Sequence, residues 1–343
     1  MNNPFSTTFG IEPGNYIRRN LESEKIIDDF SSETPSNYVY LITGLRGSGK
    51  TVLLSSISNH FEKSEKWIVV DPGPKNNIIE NIASEIYESG KVKHLFLKKE
   101  FSFSFHGLTF SIEGKEPVTN SLSMLKKMLA YLKEKGKRVL VTIDEVDNGE
   151  QTKYFIQAYQ TLIRQGYPIM LLMTGLYENI SKLQDDKSLT FLYRAPKILL
   201  GPLSINSIAA NYRKYLAVDL NQSIDLARAT KGFAYAYQVL GYLLFQNKTT
   251  NLDDVIYDYD QYLGDYVYEK IYSELSAKEQ KILSHFVSNG PIKFAELCAM
   301  AEEDVKTMSV YRDRLIKRGV VYSPSYGHLE FALPRFYEFL KSK

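Results

Sequence analysis

The fold of this 343-residue chain is indicated most clearly by residues 38–63, YVYLITGLRGSGKTVLLSSISNHFEK. A short apolar run at 38–43 precedes a glycine cluster, and beyond that cluster the apolar residues recur at helical spacing. GLRGSGKT at 44–51 satisfies the pattern G-x-x-x-x-G-K-[ST], which binds phosphate where it joins a strand to a helix. The stretch therefore predicts a strand, a phosphate-binding loop (P-loop) and a helix.

Each residue type in this loop has its own part in holding phosphate. Glycines let the backbone turn tightly, so that N–H groups and the positive end of the helix converge on phosphate oxygens. Lys50 is expected to neutralise the β and γ phosphates, and Thr51 to give its hydroxyl to a magnesium ion. We expect ATP and Mg²⁺ as cofactors, held by a cradle of Gly44, Arg46, Gly47, Ser48, Gly49, Lys50 and Thr51.

Four further apolar runs predict more strands of the same sheet. They are WIVVD at 67–71, VLVTID at 139–144, IMLLMTG at 169–175 and KILL at 197–200, with helical patterns between them. This alternation predicts an α/β fold, a parallel sheet covered by helices on both faces. EFSFSF and LTFSIE predict a hairpin inserted at about 100–113, whose phenylalanines form either a buried face or a surface for a partner.

Acidic and hydroxyl residues follow two of these strands. Asp144 and Glu145 end one strand at the carboxyl edge of the sheet, where ligands bind. Asp144 is expected to hold Mg²⁺, and Glu145 to polarise the water that attacks the phosphate. Thr174 ends the next strand and is expected to orient water or sense the γ-phosphate. Arg194 precedes the last strand and is either an arginine finger for a neighbouring subunit or an ordinary surface residue.

After Pro202 the strand patterns stop, and helical patterns continue to Leu275. From Ser276 the sequence predicts three helices, the last stopped by Gly319, and then two short strands around a Ser-Pro-Ser-Tyr-Gly turn. Three helices followed by such a hairpin are typical of a winged helix. The predicted domains are a P-loop core over 1–202, a helical lid over 203–275 and a winged helix over 276–343.

Charge gives a modest indication of what the winged helix binds. The whole chain has a net charge of +2, which excludes a strongly basic coat protein for nucleic acid, whereas residues 276–343 alone carry +3. In the third predicted helix Val305 belongs to the inward stripe, and Lys306, Arg314 and Lys317 face outward. These three cations are expected to meet phosphates of duplex DNA; a merely solvated or protein-binding face is the alternative.

Composition and cysteine content indicate the compartment. The chain is 44% hydrophobic and 24% charged, an ordinary soluble balance. Its apolar runs are far shorter than the roughly 20 residues that a membrane helix needs. The amino terminus lacks the pattern of a signal peptide, and Cys298 alone cannot form an internal disulfide. We expect a cytoplasmic protein that does not bind membranes.

The order of these motifs resembles the AAA+ superclass of ATPases. More narrowly, it is similar to the STAND-type signal-transduction ATPases and their archaeal-type relatives, which are close to archaeal origin-recognition ATPases. In such proteins a segment similar to YIRRNLE at 16–22 helps to enclose the adenine, so the resemblance implies base contacts by Tyr16 and Arg19. Two departures concern this segment and the lid: Arg18 stands where the family has glycine, and Ala234 where it has proline.

The resemblance implies an ATP-binding switch that hydrolyses ATP slowly and passes its nucleotide state through the lid to the winged helix. DNA association is the favoured output. The alternative is a regulatory or signalling ATPase that uses its winged helix to bind a protein, or to associate with itself. A small-molecule kinase is a third possibility, against which the Asp144 and Glu145 pair and the winged helix both argue.

Overall fold

The computed structural model describes residues 2–8, 14–73, 77–98, 103–105, 108–110 and 120–343. The strands are β1 (Val39–Thr43), β2 (Trp67–Val70), β3 (Phe103–Phe105), β4 (Leu108–Phe110), β5 (Arg138–Ile143), β6 (Ile169–Gly175), β7 (Lys197–Leu199), β8 (Ile292–Lys293), β9 (Val321–Tyr322) and β10 (His328–Phe331).

The first seven helices are α1 (Asn20–Ser31), α2 (Lys50–Glu62), α3 (Ile78–Glu88), α4 (Lys93–Lys98), α5 (Ser121–Glu134), α6 (Glu150–Arg164) and α7 (Tyr177–Asp185), followed by a 3₁₀ helix (Lys187–Arg194). The others are α8 (Ile205–Tyr215), α9 (Leu220–Ala229), α10 (Ala234–Asn247), α11 (Ile256–Leu263), a π-helical segment (Gly264–Tyr268), α12 (Glu269–Ser273), α13 (Ala277–Ser284), α14 (Phe294–Ala301), α15 (Val305–Arg318) and α16 (Phe336–Lys341). In the part of the chain that the structure describes, no helix is long and apolar enough to cross a membrane.

The predicted parallel sheet is present. Its five strands lie in the order β2-β5-β6-β1-β7, and every neighbouring pair is parallel. All residues of β1 and β6 are buried, which explains why these strands are mostly apolar and do not alternate. The register pairs Ile143 of β5 with Met173 of β6, so the residues that follow these two strands meet at the same edge.

The chain forms two compact units. The sheet unit comprises residues 19–43 and 51–199, and the helical unit comprises 1–18, 44–50 and 200–343. Each has its own apolar core. The three-domain division with boundaries after 202 and 275 stays a prediction.

The core of the sheet unit follows from helical periodicity. In α3 the buried residues Ile78, Ile82 and Ile86 recur every fourth position and form one apolar stripe. The predicted hairpin is present as the antiparallel pair β3 and β4, with Phe103 opposite Phe110. The structure does not describe the side chains of this hairpin or of Phe101, so the choice between a buried face and a docking face stays a prediction.

The helices of the helical unit differ from the sequence prediction at one point. A single helix was expected up to Leu275, but α11 and α12 are separated by a five-residue π-helical segment. Gly264 begins this segment, and Val267 and Tyr268 within it are both buried. The wider turn changes which faces of the following residues point to the core, compared with an uninterrupted α-helix.

The carboxy-terminal elements α13 to α16 and β8 to β10 include the three helices and the hairpin that were predicted. Ser276 and Glu279 form the predicted capping box, and Gly319 ends α15 with φ +80°. The prediction for Val305 was wrong: this residue is 63% exposed because it is the first of α15, before the buried stripe begins at Met308. Strand β8 and helix α16 were not predicted.

Ion pairs and hydrogen bonds fasten these elements to the preceding helices. Lys231, in the turn before α10, pairs with Glu330 of β10 at 2.8 Å and donates to the carbonyl of Phe331 at 2.8 Å. Arg335 donates to Asp260 of α11 through two nitrogens, with an Nη2–Oδ2 distance of 2.6 Å. Both cations bridge the two parts of the helical unit at separate points.

The amino-terminal segment is anchored in the helical unit by Phe5. Its ring is buried and lies 5.8–6.0 Å from the rings of Tyr212, Tyr215 and Tyr237. An added Cβ on Gly241 of α10 would lie 2.4 Å from the Phe5 ring, so this glycine leaves the space that the ring fills. Residues 2–8 are therefore part of the core packing.

We expect Phe5→Ala to destabilise the helical unit by roughly 3 kcal/mol, since it removes a buried aromatic ring and leaves a cavity. Thermal denaturation followed by circular dichroism measures the effect as a lower Tm. Leu21→Ala is the matched control, because Leu21 is largely exposed. Equal melting temperatures for Phe5→Ala and the parent would contradict this account of the segment.

Candidate nucleotide-binding site

The P-loop turns through two glycines with left-handed backbone conformations. Gly47 has φ +75° and Gly49 has φ +89°, values that other residues adopt only with strain. The carbonyl of Gly47 accepts a hydrogen bond from Tyr235 N at 3.0 Å, and an added Cβ would lie 2.8 Å from the Phe233 ring. The start of α10 therefore packs directly on the loop, and only glycine fits at position 47.

Lys50 is the first residue of α2 and is almost completely buried. Its ammonium donates to the carbonyls of Gly44 at 3.1 Å and Leu45 at 2.9 Å. The side chain thus folds back along its own loop, as expected for a lysine that serves phosphate bound there. Lys50 and the glycines keep their predicted roles as proposals, and Arg46 and Ser48 also lie in this loop.

Asp144 is the centre of a hydrogen-bonded cluster in the sheet unit. Its Oδ2 accepts from Thr51 Oγ1 at 2.7 Å, and its Oδ1 accepts from Thr174 Oγ1 and, at 3.0 Å, from Glu145 N. This geometry follows from the sheet, because β5 and β6 are neighbours and end at the same edge. In P-loop proteins Mg²⁺ is held by a hydroxyl of the P-loop and a carboxylate at the end of a neighbouring strand, with phosphate and water completing the coordination shell.

The described residues contain no group of three or more His, Cys, Asp or Glu side chains that could hold a metal by themselves. The Thr51 and Asp144 pair fits Mg²⁺ in the manner of a shared site, in which substrate phosphates supply other ligands.

Glu145 follows Asp144 in a left-handed conformation, with φ +52°, and is exposed. Such a conformation costs on the order of 1 kcal/mol or more for a residue with a side chain, and strain of this kind clusters at functional sites. The turn is stabilised by the amide of Glu145, which donates to Asp144 Oδ1 and, at 3.2 Å, to Thr174 Oγ1. The cluster around Asp144 therefore stabilises the backbone conformation of the proposed catalytic residue.

Thr174 is fully buried, and its hydroxyl donates to Asp144. The sequence suggested a residue that touches water or phosphate, whereas the observed contact orients a carboxylate. Thr174 therefore orients the Asp144 carboxylate in this structure, and its contact with water or the γ-phosphate stays a prediction.

We expect Thr174→Val to raise the Mg²⁺ concentration required for half-maximal activity by about tenfold, because one hydrogen bond to a charged carboxylate is lost. Thr174→Ser keeps the hydroxyl and should behave like the parent. Phosphate release measured across a magnesium titration gives the result. An unchanged magnesium dependence in the valine variant would show that Asp144 needs no such support.

Two other acids near this edge have different surroundings. Asp147 accepts from Gly149 N at 3.0 Å and Thr152 Oγ1 at 2.8 Å, so it stabilises the start of α6. Asp71 follows β2, and desolvation of its carboxyl raises its pKa above the ordinary value, opposed by a hydrogen bond from Gly73 and reinforced by the charge of Asp144. Asp71 was not among the predicted site residues, although it follows an apolar strand as Asp144 does.

The remaining predicted residues are dispersed. Arg194 is exposed at the end of the 3₁₀ helix, just before the edge strand β7. Arg19 is buried at the start of α1, with Nη1 3.8 Å from Glu22 Oε1, and Tyr16 is half-buried in the helical unit. Their contacts with a neighbouring subunit or a base stay predictions.

The three predicted DNA-contacting residues are all exposed on α15. Lys306 lies in its first turn and Lys317 in its last. Arg314 has neighbours of its own, with Nε 3.6 Å from Glu279 Oε1 and its guanidinium 5.8 Å from the centre of the Tyr311 ring. The three cations are therefore exposed as predicted, and one of them, Arg314, also contacts Glu279 and Tyr311.

Comparisons with known families agree with this geometry. Residues 19–174 match the model of the KAP family P-loop domain, a range that contains the P-loop, Asp144 and Thr174. Residues 265–340 match a domain of unknown function, DUF8462. No curated protein matches the sequence significantly.

Three solved structures resemble nearly the whole chain. The Walker-type ATPase Paby2304 of Pyrococcus abyssi is 16% identical with a TM-score of 0.67, covering 95% of this chain and 96% of its own. The Orc2 protein of Aeropyrum pernix, in its ADPNP–ADP complexes, is 14% identical with a TM-score of 0.60, covering 98% and 96%. Cdc6p of Pyrobaculum aerophilum is 16% identical with a TM-score of 0.50, also covering 98% and 96%. At such identities the likeness establishes the fold alone.

Proposed function

We propose that this chain, a P-loop ATPase related to the archaeal origin-recognition proteins, is a magnesium-dependent ATP switch. The observation that carries the proposal is the Asp144 carboxylate, which is hydrogen-bonded to the P-loop hydroxyl of Thr51 on one side and to Thr174 on the other. A carboxylate at the end of a buried strand, joined to the P-loop threonine, is the donor set that a magnesium–nucleotide complex requires.

In this proposal each residue acts on a defined part of the nucleotide. Lys50 and the backbone N–H groups of the P-loop bind the phosphates, and Thr51 and Asp144 hold Mg²⁺, which neutralises the developing charge. Glu145 accepts a proton from the attacking water. That the Orc2 protein of similar fold was solved with ADPNP and ADP supports a nucleotide as the ligand here.

Hydrolysis is proposed to be slow. The start of α10 places Phe233, Ala234 and Tyr235 beside the P-loop glycines, with the Cβ of Ala234 3.8 Å from where a Cβ on Gly49 would be. No side chain among these three can offer a positive charge to the γ-phosphate. Arg194 from a second copy of the chain would supply that charge, so assembly is proposed to accelerate turnover.

Nucleotide binding and phosphate release, measured without any added acceptor, test this proposal. Release of phosphate from ATP in magnesium alone supports an ATPase. Release only with an added small molecule would instead establish the kinase alternative, and failure to bind ATP or ADP by calorimetry would refute the switch.

For the output we propose that residues 276–343 form a winged helix that binds duplex DNA through α15. Support comes from the exposed cations Lys306, Arg314 and Lys317 along one helix. Contacts of this type are made mainly to phosphates and give affinity with little sequence preference.

We expect the logarithm of DNA affinity to fall with the logarithm of salt concentration at a slope of roughly −3 to −5, for about three to five neutralised phosphates. Lys306→Ala and Lys317→Ala should each reduce the slope by about one. Fluorescence anisotropy of duplex DNA, with ATP, with ADP and without nucleotide, measures it. The absence of binding in every nucleotide state at low salt would refute DNA as the partner.

A protein partner is the second candidate, favoured by exposed apolar side chains on the same carboxy-terminal elements. Val305 and Val310 of α15 are exposed, and Tyr326 at the tip of the β9–β10 hairpin is 103% exposed. Exposed aromatic and aliphatic residues of this kind anchor protein interfaces. Should DNA fail to bind, loss of partner capture in Tyr326→Ser would support this alternative.

A further inference from the structure

Five charged residues of alternating sign connect the P-loop to helix α15 within the helical unit. We call them the arginine–glutamate chain, and in spatial order they are Arg46, Glu274, Arg318, Glu279 and Arg314. The first belongs to the P-loop and the last is one of the exposed cations on α15. The arginine–glutamate chain therefore begins at the P-loop and ends at the surface proposed to bind a partner.

Glu274 joins the first three members. Its Oε1 accepts from Arg46 Nε at 3.0 Å and Nη2 at 2.9 Å, and its backbone carbonyl accepts from Arg318 Nη1 at 2.9 Å. Lys270 Nζ is a further cation near this carboxylate, at 3.8 Å. One residue thus receives an arginine from the P-loop and an arginine from the end of α15.

Glu279 joins the last three members. It is completely buried, and one of its oxygens accepts from Ser276 N and Oγ at 2.8 Å. The other oxygen lies 3.6 Å from Arg314 Nε and 3.8 Å from Arg318 Nε. A buried carboxylate is stabilised mainly by the cations beside it. If one arginine is removed, the Glu279 carboxylate therefore attracts the remaining arginine more strongly.

An apolar contact reinforces the link between the same segments. An added Cβ on Gly319, the residue that ends α15, would lie 3.2 Å from Leu45 Cγ. Leu45 and Arg46 are the two residues of the P-loop that lie between its first two glycines. The end of α15 is therefore placed against the P-loop by packing as well as by charge.

We propose that the arginine–glutamate chain couples nucleotide binding at the P-loop to the exposed end of α15. A bound phosphate competes with Glu274 for Arg46, because charge-assisted hydrogen bonds to either group are of similar strength. When Arg46 leaves the Glu274 carboxylate, Glu274 is free to shift, and its backbone carbonyl, which holds Arg318, shifts with it; Arg318 then changes its approach to Glu279, and so alters Arg314. The coupling is reciprocal, so what binds Arg314 also changes nucleotide affinity. This inference rests on the proposed nucleotide binding and names how the partner-binding helix is regulated.

A double-mutant cycle between the ends of the chain tests the coupling, with ADP as the probe and the full-length protein throughout. Arg314→Ala should weaken ADP binding by about fivefold, a typical coupling factor, since Arg318 then moves toward Glu279 and away from the backbone carbonyl of Glu274, the residue that pairs with Arg46. In an Arg46→Ala background the same change should have no effect on ADP affinity. Arg314 is 47% exposed, and after its replacement the buried Glu279 keeps its hydrogen bonds from Ser276 and its contact with Arg318.

Arg312→Ala is the matched control, because Arg312 has the same charge on the same helix but pairs with Asp313 outside the chain. It should leave ADP affinity unchanged in both backgrounds. Equal effects of Arg314→Ala in the two backgrounds, or an effect of Arg312→Ala as large as that of Arg314→Ala, would overturn the coupling while nucleotide binding stands. If the parent binds no ADP, the proposed function fails together with this inference.

Hydrogen exchange of residues 312–320 gives a second measurement that does not depend on affinity. ADP should change the exchange of this last part of α15 in the parent and should not change it in Arg46→Ala. The same ADP response in Arg46→Ala as in the parent would contradict transmission through Arg46.

Discussion

Lys50→Ala should weaken ATP binding by about thirtyfold or more, which corresponds to losing on the order of 2 kcal/mol from a charge-assisted contact with phosphate. Because the ammonium already lies against the carbonyls of Gly44 and Leu45, little reorganisation is needed before it meets a bound phosphate. Isothermal titration calorimetry with ATP and magnesium measures the change.

Lys66→Ala is a suitable control for the lysine prediction, because Lys66 is an exposed residue of the sheet unit outside the P-loop. It should bind ATP like the parent. If Lys50→Ala binds ATP as tightly as the parent while its circular dichroism is unchanged, the phosphates are held elsewhere.

Glu145→Gln should keep ATP binding and lower the single-turnover rate of hydrolysis by at least about a hundredfold, the usual contribution of a general base. The amide preserves the shape of the side chain but cannot accept the proton of water. Its exposed position after Asp144 leaves room for substitution, and the backbone hydrogen bonds of the turn are unaffected. Quenched-flow measurement of phosphate release gives the rate.

Glu150→Gln controls for the general loss of a carboxylate near this edge, since Glu150 is exposed in the first turn of α6. Its turnover should equal that of the parent. Equal single-turnover rates for Glu145→Gln and the parent would remove Glu145 from the mechanism and leave the protein a nucleotide binder.

The strands and the local part of the site were predictable because both depend on neighbours in sequence. Fully apolar runs such as 139–143 have no alternation, which is typical of strands buried on both faces. The position of Thr174 beside Asp144 followed from the parallel order of their strands. Capping at Ser276 followed from a glutamate three positions later.

Other features depend on contacts between residues distant in sequence, and no local pattern encodes them. The packing of Tyr235 on Gly47 and the pairing of Arg46 with Glu274 each join segments more than 180 residues apart. The π-helical segment after Leu263 was missed because its two tyrosines and one aspartate fit an α-helical pattern equally well. Val305 was assigned inward from periodicity alone, which does not reveal where the packing of a helix begins.

The bridges formed by Lys231 and Arg335 limit how the two parts of the helical unit can separate. Since each cation holds a carboxy-terminal element against a preceding helix, movement of α13 to α16 away from α8 to α12 requires both ion pairs to break.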